Sequence, residues 1–414
     1  MRLRPRPRGV IWLALVLAML VAADSSWAAS KYKVVHTFVN DGKDGIISWA
    51  GLTFDPAGRL YGTTIGGGTN DQGTVFRLTR TSGGWNETVL HSFFYRTDGQ
   101  GPAASVTLDR SGNLYGTAAS GGIYDSGTVF ELSPGSSGWT FSVLHNFTIY
   151  DGQPFAPVIL DRAGSLYGTT QQNAVYKVAR SAQGDWVETT IYDFMAKNDG
   201  VNPEAGLIWD AAGNLYSTTR WGGGYYQHCS VGCGTVFELS PTSKGKWKEH
   251  MLHRFNWAPG NGEGLGPYGG VIFDGAGNLY STTVAGGSDD RCQSGCGTVF
   301  KLTPLGNGRW KETVLHNFHL DQDGYGPFAG LVMDKAGNLY GTTTWGGINN
   351  AGTVYKLTPG SNGQWTYSVL HRFSGPDGAQ SYAGLTFDKS GKHLYGTTSL
   401  GGTYNGGVVF EITP

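Results

Sequence analysis

One phrase is written seven times along this chain, and that repetition constrains the fold more than any other feature. An apolar segment ends in Asp, a short turn follows, and Leu-Tyr resumes the pattern: the aspartates are Asp55, Asp109, Asp161, Asp210, Asp274, Asp334 and Asp388. Successive copies begin 49 to 64 residues apart, which suits four short strands per copy. In the sixth copy, residues 329–334 form a continuous apolar run, while 338–343, 353–357 and 365–373 alternate between β-forming side chains. We label these strands A to D. Gly, Asn, Asp and Pro fill the joins, and no helical period interrupts them. A sheet of this size with two apolar faces cannot stand alone, so each unit must stack on its neighbours.

The ends of the chain say how the stack terminates. The seventh copy stops after strand C, at residues 408–412, and its missing strand D lies at the opposite end, in residues 31–38. That segment closes with His36-Thr37-Phe38, the His-x-Phe of the other copies. Seven such phenylalanines occur: Phe38, Phe93, Phe147, Phe194, Phe255, Phe318 and Phe373. The expected fold is therefore all-β, a seven-bladed β-propeller of four-stranded blades, closed by the N-terminal strand completing the last blade. An open solenoid would instead carry capping repeats.

Composition narrows the function. With 30 basic against 31 acidic residues the chain has no global field for nucleic acid, and no nucleic-acid partner is expected. Arg2, Arg4, Arg6 and Arg8 precede an apolar run over residues 10–23, and Ser26-Trp27-Ala28 offers small residues at a cleavage site. Residues 1–28 read as a signal peptide and 29–414 as a single propeller. The apolar run falls short of the roughly 20 residues of a spanning helix, so a secreted or periplasmic protein without a membrane partner is expected after cleavage. Cys229, Cys233, Cys292 and Cys296 sit in the B–C loops of adjacent copies. An even count in an exported chain argues for disulfides, most simply closing each small loop, although two other pairings and a zinc site with His228 remain open.

The phrases Gly-Asn-Leu-Tyr-Gly-Thr-Thr, Gly-Thr-Val-Tyr-Lys-Leu and Val-Leu-His-Arg-Phe resemble the GloVer-type (choice-of-anchor) bacterial exported tandem-repeat family, over essentially all of the mature chain. The resemblance implies the repeat and export but no activity. Its members often carry a C-terminal anchor. This sequence ends on its last blade, which implies release rather than attachment.

Most recurring residues have structural roles available. Each strand-A Asp can accept N–H bonds from the turn that it starts. His91, His145, His253, His316 and His371 alternate with apolar neighbours on strand D and should be satisfied core groups, bonded to a hydroxyl or carbonyl such as the Thr pairs of strand B. The tryptophans opening strand D, including Trp85, Trp247 and Trp365, should cover blade edges. The B–C and D–A loops share one face of the disc, and that face carries the candidate ligand-binding residues: Trp221, Tyr225, Tyr226, His228, Trp257, Tyr268, Trp345, Tyr124 and Tyr404. Exposed aromatics on such loops suit a sugar ring or a protein surface.

No nucleophile motif, phosphate loop or metal signature stands out, so no catalytic residue, metal or cofactor is expected. The positions opening strand A are small, with Glu204 just before one of them as the exception. A binding or interaction module for a carbohydrate or protein ligand is the first expectation. A structural cell-surface or assembly protein is the alternative, and a tunnel-site hydrolase or lyase centred on Glu204 is a further one.

Overall fold

The structure, a computed structural model, describes residues 30–194, 199–224, 227–320 and 323–414. The proposed signal peptide lies outside them. Seven four-stranded antiparallel sheets form a ring, a seven-bladed β-propeller. Blade 6 shows the plan, with strand A at Val332–Met333, B at Leu339–Thr343, C at Thr353–Pro359 and D at Trp365–Arg372. Strand A pairs with B through only two residues, fewer than its apolar run suggests. The reason lies upstream, where Ala329 turns its carbonyl to the preceding blade rather than to strand B.

Blade 7 joins the two ends of the chain. Its strand D is Lys31–Thr37, hydrogen-bonded along Val408–Thr413, with Leu394–Thr398 and Thr386–Phe387 completing the sheet. The register runs from Lys31 opposite Thr413 to Thr37 opposite Val408, as the His-x-Phe match requires.

Blades pack through a repeated core. Between blades 2 and 3, Tyr115, Val129 and Phe147 meet Val158, Leu166, Tyr176 and Val178, all buried. Seven such clusters occur, one at each junction. Strand B carries Gly62 because a Cβ there would stand 2.5 Å from the Phe76 ring. The Thr pair of strand B stitches the ring. The first Thr donates its hydroxyl to a carbonyl at the start of the next blade, as Thr63 does to Ala104, Thr169 to Ala205 and Thr282 to Ala329, at 2.9, 3.1 and 2.8 Å. The second bonds a Thr of strand C, as Thr343 does Thr353 at 2.9 Å.

The strand-A aspartates do hold their turns. Asp334 accepts from the Ala336 and Asn338 N–H groups, both at 2.9 Å, and from the Asn338 amide at 2.7 Å. It also takes the Tyr340 hydroxyl at 2.9 Å, which explains why Leu-Tyr follows the turn. The strand-D tryptophans reach back to the preceding blade, Trp139 lying edge-on to Tyr61 and Trp247 to Tyr167.

The histidine expectation needs correction. Where a hydrogen bond forms, the partner is an acid of the D–A loop and not a threonine hydroxyl, and among the described residues Nε2 of His145, His253 and His316 forms none. His91 meets Asp98 at 3.0 Å and His371 meets Asp377 at 2.8 Å. In blade 3, where Tyr192 replaces histidine, its hydroxyl reaches Asp199 at 3.0 Å. Each acid precedes a glycine, and at Gly45 a Cβ would lie 2.2 Å from Thr64 Oγ1. A bulge in strand D sets the direction. The partner of Val75 is His91 while that of Phe76 is Val89, so Leu90 is extra. By simple alternation His91 would share a face with Glu87. The bulge turns it to the opposite face, toward the next blade.

The D–A and B–C loops emerge on one face and are tied together there. Gly45–Ile46 pairs with Gly66–Gly67, Gly200–Val201 with Trp221–Gly222, and Gly264–Leu265 with Ala285–Gly286. The disulfides are local, Cys229–Cys233 and Cys292–Cys296, which removes both the other pairings and the zinc reading of the cysteines. Each bridged loop also holds the next blade, since the Cys233 and Cys296 carbonyls accept the Gly266 and Gly326 N–H groups.

Candidate functional site

The loop face narrows at the axis to a cavity of about 400 Å³. Its rim comes from the single residue preceding each small strand-A opening. Around the ring these are Trp49, Ala103, Phe155, Glu204, Tyr268, Phe328 and Tyr382. The small pairs that follow, such as Ala50-Gly51 and Ala329-Gly330, let the strands crowd the axis while the residue before them projects over the mouth. Four of the rings form a continuous arc. Trp49 lies 5.1 Å from Tyr382, Tyr382 lies 5.2 Å from Phe328, and Phe328 lies 5.2 Å from Tyr268.

The arc ends on a charged group. The Glu204 side chain is only 1% exposed, faces Arg220 Nη1 at 3.6 Å and accepts the Gln171 amide at 2.7 Å. Its Oε2 makes no hydrogen bond among the described residues. Gln171 belongs to the short B–C turn of blade 3, whose other two residues are also committed: Gln172 accepts from Gln153 N–H and Asn173 from Asn202 N–H. The Arg220 guanidinium lies over Trp221 at 5.1 Å and over Tyr268 at 5.3 Å. Burial, with the Glu204 charge second, pushes the Tyr268 hydroxyl well above the usual phenol range, so it stays protonated. Burial raises Tyr382 likewise.

The structure brings three of the expected residues together. Trp221 and Tyr268 share the Arg220 guanidinium, and Trp345 packs on Phe328 at 5.3 Å. His228 and Trp257 form a separate edge-on pair at 6.1 Å, beside the first disulfide. Tyr124 and Tyr404 stand 55% and 60% exposed on loop tips, and the Tyr124 tip is fastened outward, Ile123 N–H bonding Asn146 of strand D. Tyr225 and Tyr226 lie outside the described residues. Trp49, Phe155, Phe328 and Tyr382 were not anticipated. Their signal was available one position upstream of the small pairs, at a site where residue type changes from copy to copy.

A larger groove of about 880 Å³ runs between blades 1 and 2 on the opposite face. Its carboxylates Asp55 and Asp109 are spent on their own turns. The axial mouth is the better candidate, because its rings line an opening at the axis and Oε2 of Glu204 makes no hydrogen bond among the described residues.

Fold and mouth together define a closed β-propeller with an aromatic axial site on its loop face. The chain belongs to the Gloeobacter/Verrucomicrobia repeat family, whose model matches residues 24–227 and again 226–414. No functionally curated protein matches it. A solved structure described as a putative oxidoreductase (glucose dehydrogenase) from Thermus thermophilus aligns over 93% of this chain and 100% of its own. At 16% identity and a TM-score of 0.42, that likeness carries no functional argument.

Proposed function

We propose that this protein is an exported binding module whose ligand is a carbohydrate held at the axial mouth. The observation that carries the reading is the arc from Trp49 through Tyr382 and Phe328 to Tyr268, ending at Glu204 and Arg220. A pyranose has apolar C–H faces that stack on such rings and hydroxyls that bond a carboxylate or guanidinium beside them. Export is supported by the two disulfides, which persist in oxidising compartments, with residues 1–28 as the segment that directs it. Among the described residues no helix is long and apolar enough to cross a membrane. A glycan array probed with the untagged mature protein tests the reading. We expect binding that Tyr268→Ala and Tyr382→Ala together abolish; an array with no hit, or a hit indifferent to both changes, would refute it.

A second reading, docking of a protein partner, is favoured by exposed Phe94, Tyr95, Ile123, Tyr124, Ile149 and Tyr150 on the loops of blades 1 to 3. It predicts association that Ile149→Asp disrupts while sugar binding is unchanged.

A further inference from the structure

Among the described residues, two of the seven junctions bring an imidazole nitrogen and two carboxylate oxygens within 4.8 Å of one another. At the seam, His36 of the closing strand and Asp44 of the loop after it face Glu87 on strand D of blade 1. Between blades 4 and 5, His253, Glu263 and Glu312 repeat the arrangement. In both groups a ligand-type atom from each residue lies within 4.8 Å of the other two. At the seam Asp44 is held by the backbone, its two oxygens accepting the Val39 and Gly45 N–H groups, while the histidine and glutamate atoms are left unspent. His36 stands 3.4 Å from Asp44 and His253 stands 3.5 Å from Glu263, and the Nε2 atoms of both histidines are buried without a hydrogen-bond partner among the described residues. The same holds for Oε1 of Glu87 and of Glu312. Orphaned buried polar atoms are costly, and here two converge at each of two equivalent places.

Three other junctions show the arrangement without the second carboxylate, and between blades 2 and 3, where Glu188 takes the position of Glu87 and Asp151 that of Asp44, the groups are not gathered so closely. Where Phe141 or Tyr32 occupies the position of Glu87, its ring stacks on the neighbouring imidazole, His91 or His371, at 3.8 and 3.7 Å. His316 stacks on Tyr367 in the same way, 3.9 Å from Asp323. No second oxygen is aimed at those imidazoles by that position. The bulge in strand D makes both versions, because it turns each histidine toward the residue that the next blade presents.

We propose that these two junctions are divalent transition-metal sites, each holding a zinc-like cation through one imidazole nitrogen and two carboxylate oxygens across a blade boundary. One nitrogen and two oxygens suit zinc and its neighbours better than calcium, which prefers oxygen alone. Zinc–ligand distances of about 2.0–2.2 Å bring tetrahedral ligands to roughly 3.5 Å from one another, so only modest side-chain closure is needed. A water fills the fourth position. The cation occupies the orphaned atoms and removes the repulsion between paired carboxylates. At the seam it ties the N-terminal strand to blade 1, so metal reinforces the closure of the ring.

Untagged protein stripped with a chelator, then titrated with Zn(II) and with Co(II), tests this. Elemental analysis should find two equivalents per chain, Co(II) should give visible d–d absorption, and the melting temperature should rise by a few degrees. Glu87→Gln and Glu312→Gln should each leave one equivalent and the double variant none, with far-ultraviolet circular dichroism unchanged. Glu188→Gln, at a third junction, should retain both. No bound metal at tens of micromolar, or two equivalents surviving the double variant, overturns the proposal, as does equal loss in Glu188→Gln. Should the glutamine variants misfold, Co(II) coordination in the unaltered protein decides: spectra without an imidazole ligand overturn the assignment.

Discussion

Thr397 donates its hydroxyl to the carbonyl of Ala50 at 2.9 Å, across the gap between the last blade and the first. The same bond joins Thr342 to Ala383 at 3.0 Å and Thr117 to Ala156 at 3.1 Å inside the ring. The seam is thus built like every other junction, although its strand D comes from the far end of the chain. Thr397→Val should cost about 1–2 kcal/mol, since it leaves a buried carbonyl unpaired, and Thr117→Val should cost the same. Denaturant titration of the two variants checks this. If the seam variant is free while the internal one is costly, the termini are not joined in solution. Deleting residues 30–38 should go further and remove cooperative unfolding, because blade 7 then exposes the edge of strand C.

The turn aspartates predict an acid limit to stability. Burial pulls the Asp334 carboxyl up, but the Asn338 amide and N–H, the Tyr340 hydroxyl and the Ala336 N–H together hold it below the usual range. Asp55, Asp210, Asp274 and Asp388 are lowered by the same kind of contacts. A carboxyl lowered by folding contributes stability above its unfolded value near 3.8, and that contribution is lost as pH falls through the folded value. Asp334→Ala should cost about 1 kcal/mol at pH 7 and less as the pH falls through the lowered folded value, where the wild-type carboxylate becomes protonated.

Between those limits the junction groups oppose one another. Burial lowers His91 and His371, whose contribution is lost as pH falls below about 6.5. Burial raises Glu188, and raises Glu249 to about 7, so theirs is lost as pH rises through the folded values. A shallow profile from pH 8 to 5 and a steep fall below pH 4 is the expected course of melting temperature. A sharp loss between pH 7 and 5 would show that the histidines dominate.

How far the sequence reveals this molecule depends on whether a role fixes residue identity. The turns need Asp in every copy and in the first six the following Tyr bonds it, so Asp334 and Tyr340 mark the period, although Tyr395 of the last copy turns to Glu411 instead. The closing strand was legible because His36 and Phe38 fill the same positions as His371 and Phe373. The mouth was hidden because projecting over the axis demands only a side chain, and the copies supply Trp49, Ala103, Glu204 or Tyr268. The histidine partners were missed because loop length varies before the acid, from Asp377 after His371 to Glu263 after His253. The bulge was invisible because Val89-Leu90 reads as ordinary apolar strand.

Reduction should add four protons to the intact mass, two for each of the Cys229–Cys233 and Cys292–Cys296 bridges. Loop entropy for so short a closure gives about 2 kcal/mol of stability apiece. The loss should be local first. Trp221 and Trp257 pack on the cluster that contains Cys229 and Cys233, so their fluorescence should change before the strands melt. Coincident loss of fluorescence and strand signal would mean that the bridged loops and the blades are one cooperative unit.

The axial mouth makes the sharpest functional prediction, because stacking and charge can be separated there. Tyr268 and Tyr382 present ring faces, and removing either should weaken a bound sugar on the order of tenfold to a hundredfold, with small changes in stability since both side chains are only partly buried. Glu204→Gln preserves volume and the contact with Gln171 but leaves the Arg220 guanidinium without its counter-charge. That variant should lower affinity and make the residual binding less sensitive to salt. Tyr124→Ala and Tyr404→Ala, on the outlying loop tips, should do neither. Calorimetry with the best array oligosaccharide distinguishes the patterns. If Tyr124 and Tyr404 matter while Tyr268 does not, the ligand sits on the rim of the disc and the arc around the axis is packing alone.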